Sequence, residues 1–173
     1  MTFRRLLAVI LVLGLSGCAQ EADLPDIVVR AASADDFAGF RADLGTRFRP
    51  EQLKDFDTAT QELQLDAMNR DIPTAADREA DMRRVAHGQT VHAVTVLGWQ
   101  ARKARFVRET AGMQKLLDRD LAQQAKTTAT GTPESVTRRI GSEREVLEKL
   151  HRDLAETDRR LAEWSRGKAQ RKR

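Results

Sequence analysis

The chain has 173 residues, 32 % of them charged and 40 % hydrophobic, with 5 % aromatic, no Tyr and a single Cys. Length and apolar content suit one domain with its own core and exclude a multi-span membrane protein. One thiol excludes an internal disulfide, a zinc knuckle, a redox pair and an iron–sulfur site. The formal net charge of +4 conceals a division: Ala19 to Asp81 carries 7 basic and 15 acidic residues, a net of −8, whereas Met82 to Arg173 carries 21 basic and 11 acidic, a net of +10.

Met1 to Gln20 begins with Arg4 and Arg5, continues in a ten-residue apolar run from Leu6 to Leu15, and ends in small residues. A charged start before an apolar run shorter than the ~20 residues of a membrane-spanning helix is the layout of a secretory signal. Leu15-Ser16-Gly17-Cys18 resembles the lipobox of bacterial lipoproteins, and the only Cys of the chain falls at its fourth place. The resemblance implies that residues 1–17 are a signal peptide and that Cys18 becomes the first mature residue, with a diacylglycerol on its sulfur and a further acyl chain on its amine. Two or more acyl chains, at ~0.8 kcal/mol per buried methylene, make a stable anchor. With Ala19 and not Asp after the Cys, the family's sorting habit implies the outer membrane, periplasmic side; the inner membrane is the alternative. Export sets nucleic acid aside as a partner.

Residues 18–32 read as a lipidated tether with one extended segment at Ile27-Val28-Val29. From 33 to 165 the apolar spacing is helical. Ser33 with Asp36 forms a capping-box-like start for a helix whose apolar face is Phe37, Phe40, Leu44 and Phe48. Pro50 opens a second, with Leu53, Phe56, Leu63 and Ala67 on one side and Pro73 beyond its end. Thr74 with Asp77 caps a third, shorter helix to about His87, with Met82 and Val85 inward, and Gly88 suits the left-handed residue that ends it. Thr90 opens the longest segment, to about Thr128, through Val91, Val94, Leu97, Trp99, Phe106, Val107, Met113, Leu117 and Leu121. Gly98 and Gly112 each lower its helix propensity by about 1 kcal/mol.

After the turn Thr127 to Ser135, with Thr132 as cap, the last helix carries Ile140, Leu147, Leu154 and Leu161 at intervals of seven, with Leu150 and Trp164 beside them. Glu143 and Thr157 interrupt this seam. The nearest partner is the preceding helix, folded back across a short turn; a second copy of the last helix is the other candidate. The fold class is therefore all-α: a helical bundle of short N-terminal helices plus a long C-terminal antiparallel helical hairpin.

Basic residues concentrate at Arg102, Lys103, Arg105 and Arg108 on the long helix, and at Arg166, Lys168, Arg171, Lys172 and Arg173 at the end. The first group reads as a solvated face or an anion-binding patch. The second, over 166–173, lacks an apolar anchor and reads as a disordered basic arm for lipid headgroups, lipopolysaccharide phosphates, peptidoglycan carboxylates or another envelope protein. The two ends of the chain are similar to the small murein lipoprotein of enteric bacteria, helical and joined to peptidoglycan through a C-terminal Lys. Here Arg173 follows Lys172, so that covalent join is not implied. The middle, Ser33 to Ala59 and Gly88-Gln89-Thr90, is loosely similar to small helical envelope lipoproteins of uncharacterised function.

No hydrolase, phosphate-loop or zinc-protease motif is present. His87 and His92 are five apart across the Gly88 break, and with His151 read as surface or boundary residues, so no metal or cofactor is expected. Trp99 and Trp164 read as core or seam residues. Two functions remain: a non-enzymatic, lipid-anchored envelope lipoprotein with a tethering or docking role, and a periplasmic enzyme or accessory subunit whose site shows no motif.

Overall fold

The computed structural model describes residues 23–127, 131 and 133–171, with side chains to 166. It is all-α, with five helices among these residues: α1 Ala34–Arg47, α2 Pro50–Asn69, α3 Ala75–Ala86, α4 Val91–Thr127 and α5 Glu134–Arg171. The caps read from the sequence form. Ser33 Oγ accepts from the Asp36 N–H at 3.0 Å while Asp36 accepts from the Ser33 N–H at 3.1 Å, and Thr74 Oγ1 accepts from the Asp77 N–H at 3.0 Å. Gly88 sits at φ +75°, where a side chain would be strained.

The segment read as a tether is half structural. A 3-10 turn at Leu24–Asp26 leads into an extended strap that makes an isolated antiparallel bridge, Val28 with Thr90, but no strand among the described residues. Leu24, Val29 and Ala31 are buried with the main core, so folding begins about ten residues before the expected start at Ser33. The reason is backbone satisfaction. The strap cannot bury its apolar side chains unless its amides find partners, and it finds them on the α3–α4 turn: Val29 N–H to the Gln89 carbonyl at 2.8 Å, Gly88 N–H to the Val29 carbonyl at 3.0 Å, and Val91 N–H to the Ile27 carbonyl at 2.8 Å.

Two apolar cores result. The larger lies among the strap, α1, α2, α3 and the first half of α4, centred on Phe40, Leu44, Leu53, Phe56 and Met82; Phe40 meets Phe56 edge-on at 6.2 Å. Each such side chain, fully buried, contributes roughly 1.5–3 kcal/mol. The smaller joins Leu117 of α4 to Val136, Ile140 and Leu147 of α5, flanked by Met113 and Leu121. Here the molecule is two helices thick. Contacts retreat along α5 as they advance along α4, from His92 with Trp164 through Lys103 with Asp158 to Asp120 with Arg139, so the pair is antiparallel. Contacts between α2 and α4 advance together, Ala59 against Gly98 and Glu62 against Arg102 and Arg105, so those helices run parallel.

Three further features differ from the sequence reading. Leu97 and Val107 face outward at 38 % and 48 % exposure, because α4 has more apolar positions than its partners cover. Glu143 and Thr157, the interruptions of the seam, are buried in it; Thr157 donates to the Asp153 carbonyl at 2.8 Å, whereas one Glu143 carboxylate oxygen is buried without a partner among the described residues. Finally, α5 does not stop at Ser165 before a disordered arm but continues to Arg171. Cations in a last helical turn complement the helix dipole, and Gly167 alone costs only about 1 kcal/mol. Thr132, Lys172 and Arg173 lie outside the described residues.

The crossing of α2 over α4 depends on one glycine. A methyl group built on Gly98 would lie 2.3–2.4 Å from the Cα, Cβ and carbonyl oxygen of Ala59, whereas one on Gly112 would meet nothing within 4 Å. Gly98→Ala is expected to destabilise the fold by about 2 kcal/mol or more through overpacking, and Gly112→Ala to stabilise it by up to about 1 kcal/mol through helix propensity. Urea unfolding followed by circular dichroism distinguishes the two signs.

Candidate functional site

Most of the basic residues singled out on α4 are already engaged. Glu62, on the otherwise apolar face of α2, has a side chain only 5 % exposed and accepts from two arginines of α4. Arg105 grips it with both edges of its fork, Nε to Oε2 at 2.9 Å and Nη2 to Oε1 at 2.7 Å, and Arg102 Nη1 donates to Oε1 at 3.0 Å. Arg105 also reaches Glu109 at 2.9 Å. Both guanidinium groups lie against the Phe106 ring, at 4.4 and 5.0 Å from its centroid, and Arg102 also covers Trp99 at 5.3 Å. The hydrogen bonds that Arg105 donates to Glu62 hold its pKa above its already high ordinary value.

Lys103 pairs with Asp158 of α5 at 2.7 Å, both half exposed; such a pair is worth ~1 kcal/mol or less. Arg108 is exposed and, among the described residues, meets no carboxylate. It borders an open groove of about 400 Å³ with Leu65, Met68, Asn69, Arg105 and Glu109. The four cations of α4 therefore do not form one patch: Arg102 and Arg105 close an internal cluster, Lys103 joins the hairpin, and Arg108 stands alone at the edge of a shallow surface.

Sequence reasoning missed the acids that organise these arginines. Glu62 was legible as a charge on an apolar face, three residues after Ala59 and one before Leu63. Asp120 stands between Leu117 and Leu121 in the seam of α4, fully buried, and is gripped by Arg139 of α5 and by its neighbour Arg119. The Arg139 hydrogen bond holds its carboxyl below the ordinary 3.8. Asp81 of α3 is held by Arg70 at the end of α2, at 2.5 Å, and by Arg84; the Arg70 hydrogen bond is again the largest cause of its lowered pKa.

His87, His92 and the second tryptophan bind the molecule together at one end. His87 Nδ1 accepts from the Ala31 N–H at 3.1 Å. His92 Nε2 lies 3.0 Å from the Trp164 carbonyl, and the two rings meet edge-on at 5.5 Å. Trp164 Nε1 donates to Asp55 of α2 at 3.0 Å, with Arg160 beside the same carboxylate at 3.6 Å. Trp99 is buried in the core with its indole N–H unpartnered among the described residues. His151 is exposed. Among the described residues no three His, Cys, Asp or Glu are placed to hold a metal ion.

At the C-terminal end, Arg166 is exposed and donates to the Ala162 carbonyl of its own helix at 3.3 Å. Lys168 and Arg171 are described as helix backbone only, and Cys18 lies outside the described residues. No protein-family model matches the chain, and no curated protein or solved structure matches it either.

The buried acids make the energetics testable. Glu62→Ala leaves Arg102 without its anion and Arg105 with only the more exposed Glu109, and is expected to cost about 3 kcal/mol, against less than about 1 kcal/mol for Lys103→Ala; equilibrium denaturation of both variants checks the ranking. For Asp120, the folded carboxyl binds protons less readily than the unfolded one. Its pair therefore contributes fully above about pH 5 and is lost as the pH falls below about 4, through the folded value. Asp120→Asn is expected to be less stable at neutral pH and to show a shallower loss of Tm as the solution is acidified through that window.

Proposed function

We propose that the protein is a lipid-anchored lipoprotein of the cell envelope, facing the periplasm, that acts by tethering and docking and not by catalysis. The observation that carries this reading is Leu15-Ser16-Gly17-Cys18, placed directly after a charged start and a ten-residue apolar run, with the only Cys of the chain at the lipidation position. Ala19 favours the outer membrane as destination. No helix among the described residues is long and apolar enough to cross a membrane; in this reading the acyl chains on Cys18 supply the attachment.

The architecture supports a docking role. The outer half of the α4–α5 hairpin is covered by no other described helix, and Leu116 and Val146 stand exposed on it at 39 % and 41 %, a surface suited to another envelope protein. The non-enzymatic reading draws on where most of the buried acids go. Three of the four, Glu62, Asp81 and Asp120, are each neutralised by arginines inside the bundle; the fourth, Glu143, is buried in the α4–α5 seam.

In cells labelled with radioactive palmitate, the wild-type chain is expected to incorporate label and to run as a shortened mature form, and Cys18→Ser to remain an unlabelled precursor. Label retained by Cys18→Ser would refute the reading.

A further inference from the structure

We propose that the tip of the α4–α5 hairpin is covered by a second copy of itself, turned end for end about a two-fold axis that passes beside Leu116 and Val146. This rests on the docking role proposed for that surface and names its occupant; it does not depend on the lipid of Cys18.

At the foot, α2 lies along one side of the hairpin and touches both of its helices. Glu62 accepts from Arg102 and Arg105 of α4, and Asp55 meets Arg160 and Trp164 of α5. The buried positions of α5 from Val136 through Ile140, Glu143, Leu147 and Leu150 alternate steps of four and three, the seven-residue register in which paired helices keep the same sides facing along their length. The side that α2 covers can therefore be followed beyond the end of α2 at Asn69. Fourteen residues from Arg102, the same row of α4 carries Leu116; fourteen from Arg160, the same row of α5 carries Val146. Both are exposed. A methyl group built on Gly112, fourteen residues past Gly98, meets nothing within 4 Å where one on Gly98 meets Ala59. The groove that α2 fills at the foot thus runs on toward the tip, filled there by no described helix.

Charge decides what fits this groove. On the foot side of Leu116 and Val146 stand two acids, Glu109 and Asp153, each seven residues away; Asp153 forms no ion pair among the described residues. On the tip side stand Arg119 and, seven residues from Val146, Arg139, whose side chains stay 66 % and 46 % exposed beside Asp120. A copy laid parallel would set acid against acid and arginine against arginine. A copy turned end for end sets Asp153 of each chain level with Arg139 of the other, both about 10 Å from the axis at 1.5 Å per residue. One patch then meets itself, as a two-fold interface requires. Glu143 adds an independent sign. It lies one turn tipward of Val146, 7 % exposed, with one carboxylate oxygen unpartnered among the described residues, and a buried acceptor without a donor is costly. In the antiparallel pair, Lys149 of the second copy comes level with it.

The test uses the full-length chain. With Cys18→Ser in detergent solution, where acyl chains play no part, sedimentation equilibrium is expected to show a dimer. Leu116→Asp with Val146→Asp should raise its dissociation constant about tenfold or more and leave the circular dichroism unchanged, since neither side chain belongs to a core. Asp153→Arg should weaken the dimer severalfold, less so at high salt, and Val107→Asp, on the other side of α4, should not weaken it. A chain that stays monomeric at every concentration, or a dimer indifferent to the Leu116 and Val146 changes, overturns the proposal. A photo-crosslinking residue placed at Val146 in cells separates the two readings. A product of twice the chain's mass supports the second copy. Crosslinking to a chain of different mass alone overturns the second copy and leaves the docking role standing, and no crosslink at Val146 or Leu116 defeats both.

Discussion

A single turn of backbone, from Gly88 to His92, holds the folded chain closed. Its first part is possible because Gly88 takes a positive φ, which reverses the chain between α3 and α4 at no steric cost. The first N–H groups of α4 would otherwise lack partners. Val91 finds the Ile27 carbonyl, and Thr90 caps the Ala93 N–H at 3.1 Å. The strap is thus held by the same bonds that start α4, and His92 fastens the end of α5 one residue later. The strap and the last turns of α5, distant in sequence, are thereby tied at one place.

From that junction α4 serves two partners in succession. Its first half is crossed by α2 so closely that Gly98 touches Ala59, and the charged cluster around Glu62 closes the outer side of the crossing. Its second half has only α5, and the seam there includes the fully buried Asp120 and the partly unsatisfied Glu143. Buried ion pairs of this kind add little net stability compared with apolar packing, but they penalise any misplacement of a partner. The structure therefore has a dense foot and a thinner tip, and the tip is the part with exposed Leu116 and Val146.

The helices, their order and most of their starts were legible because amphipathic spacing and capping residues are local signals. Ser33, Thr74, Pro50 and Gly88 each do in the structure what their chemistry suggests. The strap was not legible as part of the core: its partners are backbone groups of Gly88, Gln89 and Val91, and no side-chain pattern advertises a main-chain partner some sixty residues away. Nor was the pairing of Arg102 and Arg105 visible in their own neighbourhood, since the anion that claims them lies on α2. Glu62 and Asp120 did carry a signal, an acid on an apolar face. The helical reach of α5 past Ser165 was hidden by composition, since a charged segment with no apolar anchor reads as an arm whether or not it is helical. Of the candidate site, the residue identities came from the sequence, and their division into engaged and unengaged cations from the fold.

These features join in one account: a packed foot in which the strap, α4 and the end of α5 are tied together, and a two-helix extension beyond it. Its central claim is that both ends of the folded chain meet at one turn. The most direct measurement is pulsed dipolar spectroscopy on spin labels at Ala32→Cys and Ser165→Cys in a Cys18→Ser background. The account predicts a narrow distribution clearly shorter than that between Ser135→Cys and Ser165→Cys, which are separated along α5 by about 45 Å at 1.5 Å per residue. A broad distribution, or a separation equal to or longer than that along α5, would contradict it.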